Sequence, residues 1–71
     1  MEYTSVIDGV KYVLEADNSK EAANLIGITS GYPDSLEVVS ALDVATGLYN
    51  PMTFKLAVNK KGNKYYKRDQ K

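Results

Sequence analysis

The chain contains no histidine, no cysteine and no tryptophan, and each absence closes a line of chemistry. Without cysteine there are no disulfides to staple a small core and no thiolate metal site. Without histidine the commonest general base and the commonest metal ligand are both missing. A Ser-His nucleophilic pair therefore cannot form, and no serine has a lysine three positions on to make the Ser-x-x-Lys alternative. Glycines are few and scattered through separate turns (Gly9, Gly27, Gly31, Gly47, Gly62), so no GxGxxG or Walker spacing arises. No calcium-loop pattern of alternating acids occurs either. The carboxylates sit where turns, caps and outward strand positions already account for them. Together these features predict a non-enzymatic chain with no metal site and no cofactor.

What is present is ordinary globular composition in 71 residues, which predicts a single domain, 1–71, with a thin core. No apolar run approaches the ~20 residues of a membrane helix. The segment Met1 to Thr4 lacks a basic region and an apolar stretch, so no secretion signal is expected; the location expected is cytoplasmic or virion.

The formal net charge of zero conceals two unlike segments. Residues 1–54 carry Lys11 and Lys20 against Glu2, Asp8, Glu15, Asp17, Glu21, Asp34, Glu37 and Asp43, a net of −6. Residues 55–71 carry Lys55, Lys60, Lys61, Lys64, Lys67, Arg68 and Lys71 against Asp69 alone, a net of +6. An acidic body thus meets a basic end, which suits an anionic partner or head-to-tail self-association. A row of lysines also serves to keep a terminal strand from aggregating.

Local patterning predicts an α+β fold in the order ββαβββ, a mostly antiparallel sheet with one short helix. Residues 3–7 and 10–14 flank Asp8-Gly9, a two-residue type I′ hairpin signal. That turn pairs Ile7 with Val10, Ser5 with Tyr12 and Tyr3 with Leu14 on the core face. Glu2 then falls opposite Glu15, a mildly unfavourable pair. Asn18 followed by Glu21 forms a capping pattern, with Ser19 as a rival cap. The expected helix is little more than two turns, buries Ala22, Leu25 and Ile26, and stops at Gly27; a loop covers 29–35. Residues 36–46 fit a strand through alternation, but could be a second helix capped by Asp34 and closed by Gly47. Met52 to Val58 alternates cleanly, Lys60-Lys61-Gly62-Asn63 turns, and Lys64 to Arg68 returns. Asp69-Gln70-Lys71 is a tail.

Two segments bear on binding. Glu21 to Thr29 resembles the first helix and turn of helix-turn-helix proteins, but Gly31 and Pro33 interrupt the place of the recognition helix. Lys55, Lys60, Lys61, Lys64, Tyr65, Tyr66, Lys67, Arg68 and Lys71 form the candidate partner-binding or nucleic-acid-binding set. Adjacent strand residues face opposite ways, so only one of Tyr65 and Tyr66 can belong to that surface. Six tyrosines, and valines expected to be exposed at Val6, Val13 and Val39, point instead to protein interfaces. The leading expectation is a structural or interaction subunit of a larger assembly, such as a small capsid-associated or cement-type viral protein. In it the exposed tyrosines and the tail would be buried against other chains. The alternatives are a nucleic-acid-binding accessory protein and a small inhibitor of a host protein.

Overall fold

A computed structural model of the chain describes residues 1–48 and 50–69. Tyr49, Gln70 and Lys71, including most of the expected tail, lie outside the described residues. The elements are β1 (Glu2–Ile7), β2 (Val10–Glu15), α1 (Ser19–Ser30), β3 (Ser35–Ser40), α2 (Ala41–Ala45), β4 (Met52–Val58) and β5 (Lys64–Arg68). The strands form one antiparallel sheet in the order β2-β1-β3-β4-β5, with α1 packed on one face. The α+β class is as the sequence predicts; a second helix is added between β3 and β4.

The first hairpin takes the register that its turn dictates, from Ile7↔Val10 down to Glu2↔Glu15. Asp8 and Gly9 both adopt positive φ, 51° and 80°, the requirement of a type I′ turn. Its core face supplies buried Tyr3 and half-buried Ile7, Tyr12 and Leu14.

Helix α1 begins where expected. The Asn18 side chain accepts the Glu21 N–H at 2.8 Å, while the Glu21 carboxylate accepts the Asp17 N–H at 3.3 Å. The expected stop at Gly27 is wrong. The helix continues to Ser30 and closes at Gly31, with φ of 86°, so no helix-turn-helix turn exists there. Gly27 is needed for another reason. A Cβ at this position would run into the Tyr66 ring, so glycine lets helix and sheet approach closely. This seat turns the buried stripe toward Ala22, Ala23, Ile26 and Gly27, leaving Leu25 exposed rather than in the core.

Residues 36–46 are neither wholly strand nor wholly helix. On one side β3 pairs with β4 only as far as Val38↔Met52, where β4 begins just after Pro51. On the other side its pairing ends at Tyr3↔Ser40, close to the start of β1. With neighbours exhausted, Ser40 caps a new helix by accepting the Asp43 N–H at 3.1 Å. Asp34 is not the cap, but Gly47 does close the segment at a φ of 78°. Helix α2 packs on β1 and β3, on the face opposite α1, where Val44 and Val39 line the same small cavity. Val39 is therefore 6% exposed, contrary to expectation, whereas Val6 and Val13 stay open at 64% and 49%.

Between α1 and the sheet lie Tyr3, Ala16, Ala22, Ala23, Ile26, Leu36, Val38, Phe54 and Tyr66. Truncating a large buried aromatic such as Phe54 to alanine costs about 3–5 kcal/mol in proteins generally. Five of the six tyrosines fall among the described residues. Tyr3 and Tyr66 are buried, and Tyr12, Tyr32 and Tyr65 are half-buried.

Candidate interaction surface

Strands β4 and β5 form a hairpin whose loop is organised by Asn59. Its side-chain oxygen accepts the Lys61 N–H at 2.9 Å and the Asn63 N–H at 3.0 Å, and its own N–H donates to the Asn63 carbonyl. Gly62 supplies the positive φ of 84° that completes the reversal. Lys60 and Lys61 are consequently held at the exposed tip.

The ladder then sorts the remaining cations between two faces. Phe54 and Tyr66 are buried under α1, so Lys64 and Arg68 share that side by alternation. Lys64 places its ammonium 4.9 Å from the centroid of the Tyr32 ring, a cation–π contact. Lys55, Tyr65 and Lys67 occupy the opposite face, with Lys55 directly across from Lys67. Like charges in facing positions destabilise a sheet. Asp69 partly offsets this one, lying 3.8 Å from Lys55 in the only ion pair among the described residues.

Of the candidate set, the structure gathers Lys55, Lys60, Lys61, Lys64, Tyr65, Lys67 and Arg68 into one hairpin at one edge of the sheet. Tyr66 is removed from it. Its side chain is fully buried, and its hydroxyl donates to the Pro33 carbonyl at 2.6 Å. Burial, with smaller contributions from Tyr32 and Asp34, holds its ionisation above the usual tyrosine value. Lys71 lies outside the described residues.

Sequence reasoning missed Asn24. This residue of α1 accepts the Tyr66 backbone N–H at 2.7 Å and so occupies a donor on the open edge of β5. An asparagine in mid-helix, where it is a poor helix former, was the available signal.

Away from the hairpin, a cavity of about 150 Å³ lies among Thr4, Ser5, Val6, Glu37, Val39 and Val44. It is smaller than the ~300–1,000 Å³ typical of small-molecule sites. Among the described residues no group of three acidic side chains is placed to hold a metal, and no helix is long and apolar enough to cross a membrane. Comparison of the chain with protein-family models, curated proteins and solved structures found no match.

Proposed function

We propose that this chain is a non-enzymatic interaction subunit that docks on an acidic protein surface through its β4–β5 hairpin. The observation that carries the reading is the position of the cations. Protection of an edge strand accounts for Lys64, Lys67 and Arg68 on β5. It does not account for Lys55 on the inner strand β4, nor for Lys60 and Lys61 at the loop tip. Lys55, Lys67 and the tip residues concentrate positive charge on the uncovered side of the hairpin, with Tyr65 beside them as a half-buried aromatic. Facing cations of this kind gain most when a carboxylate-bearing surface arrives between them. A single-stranded nucleic acid would ask for several aromatic platforms along its path. With Tyr66 in the core, the hairpin offers only Tyr65, which favours the protein partner.

Fluorescence anisotropy with a labelled polyglutamate peptide and with a labelled oligothymidine compares the two ligand classes. The reading expects salt-dependent binding of the acidic peptide, tighter than that of the oligonucleotide. Binding should be lost when Lys55, Lys60, Lys61 and Lys67 are all replaced by glutamate. Tighter oligonucleotide binding that the triple change Lys60→Glu, Lys61→Glu, Lys64→Glu abolishes would favour the nucleic-acid reading instead. Absence of binding to either probe would contradict both.

A further inference from the structure

The opposite edge of the sheet carries a second surface, independent of the basic hairpin. Among the described residues, strand β2 has a neighbour on one side only. Ala16 and Met1 exchange backbone hydrogen bonds, Ala16 N–H to the Met1 carbonyl and the Met1 ammonium to the Ala16 carbonyl, both at 3.0 Å. Bonded and non-bonded pairs alternate along an antiparallel ladder. This bonded pair therefore makes Val10, Tyr12 and Leu14 the inward-bonding residues of β2. Lys11, Val13 and Glu15 turn their N–H and C=O groups to the free edge.

We infer that β2 pairs with β2 of a second copy of this chain, antiparallel about a two-fold axis through Val13. Facing residues in such a pair share a side of the sheet, so the register must match alternate residues like with like. Centring on Val13 sets Lys11 of each copy opposite Glu15 of the other, flanking a Val13–Val13 contact on one face. On the face covered by α1, Tyr12 meets Leu14, extending the half-buried rim of the core. Every outward backbone group of Lys11, Val13 and Glu15 finds a partner.

The pairing also answers a defect within the single chain. Glu15 faces Glu2 in a non-bonded pair, the closer of the two spacings. Lys11 of the second copy arrives beside these carboxylates. The next register, centred on Tyr12, would put Lys11 opposite Val13 and leave Glu15 opposite Gly9, with its repulsion unrelieved. Other edge combinations are worse. Pairing β5 with β5 about Tyr66 sets Lys64 of each copy opposite Arg68 of the other, and the Tyr66 N–H that would have to bond across the pair is already taken by Asn24. Strands β2 and β5 run in the same direction, so joining them with α1 on one common side would demand a parallel pair.

The two-fold arrangement joins two five-stranded sheets into one, with a basic hairpin at each far end. A partner carrying repeated acidic sites would then be held at two points.

Sedimentation equilibrium over a range of protein concentrations tests the inference on the whole chain. Wild type should form a dimer and nothing larger. Lys11→Glu or Glu15→Lys alone should weaken dimerisation about tenfold or more, since two symmetry-related pairs become repulsive. The double charge swap should restore it. Glu15→Lys also replaces the Glu2–Glu15 repulsion with an attraction inside the monomer, so a weaker dimer there cannot be ascribed to a lost fold. Val13→Pro removes an N–H that the monomer does not use and should abolish the dimer while circular dichroism stays native-like. Replacing Lys60 and Lys61 by glutamate should leave the dimer unchanged, which separates this interface from the hairpin's partner site. A monomer at every concentration up to about 1 mM, the scale of a ~4 kcal/mol association, would overturn the inference. So would head-to-tail oligomers, or a dimer indifferent to Val13→Pro.

Discussion

The two edges of the sheet, β2 and β5, face the same physical problem and meet it differently. Each presents backbone donors and acceptors with no strand beyond them among the described residues, a template for pairing. Strand β5 is guarded twice, by the exposed side chains of Lys64, Lys67 and Arg68, and by Asn24, which takes the Tyr66 N–H. Strand β2 has one lysine, exposed Val10 and Val13, and no side-chain cap on its outward groups among the described residues. Each edge also holds a like-charge pair on the face away from α1, Glu2 with Glu15 at one end and Lys55 with Lys67 at the other. What a charge cluster does therefore depends on its place in the sheet. At β5 it closes backbone pairing and leaves side-chain contact to an anionic surface. At β2, Lys11 and Glu15 two turns of the pleat apart make the strand complementary to itself.

The largest effect on the β5 edge is expected at Gly27. Substitution to alanine drives a methyl group into the Tyr66 ring, which anchors β5 beneath α1. Overpacking of this kind costs typically about 1–3 kcal/mol, and the overlap here places Gly27→Ala at the upper end. Urea denaturation should show the lower midpoint, and hydrogen exchange should show β5 loosening before β2.

Asn24→Ala removes the cap on the β5 edge and leaves the Tyr66 N–H without its acceptor. The expected loss is about 1 kcal/mol by denaturant titration, partly offset by the better helix propensity of alanine. Light scattering should also show more self-association through β5, bringing that edge closer to β2 in behaviour. The smallest effect is expected for Lys67→Glu, which converts the facing Lys55–Lys67 pair into an attractive one. A gain of a few tenths of a kcal/mol to about 1 kcal/mol should appear as a slightly raised melting temperature, reduced by added salt.

What the sequence made legible was local. Asp8-Gly9 determines the first hairpin and, through it, the whole β1–β2 register, because a two-residue turn leaves no freedom to slip. Asn18 with Glu21 marked the helix start because the capping bonds span only three or four residues. Gly27 was misread since glycine at a helix end and glycine beneath an aromatic ring are the same letter; only Tyr66, far along the chain, distinguishes them. Residues 36–46 divided at Ser40 because strand partners ran out on both sides, at the starts of β4 and of β1, which depends on strand order. The basic set was legible because β4 and β5 are sequence neighbours. That β5 lies at an edge, that Tyr66 leaves the surface and that Asn24 covers its N–H all depend on contacts spanning tens of residues.

Amide hydrogen exchange by NMR, at a dilute and a concentrated protein sample, addresses both edges together. Val13, with Lys11 and Glu15, should exchange fast when dilute and become protected when concentrated, while Tyr66 should be protected at both concentrations. A Val13 amide whose exchange does not change with concentration, or a Tyr66 amide exchanging as fast as an open edge, would contradict this.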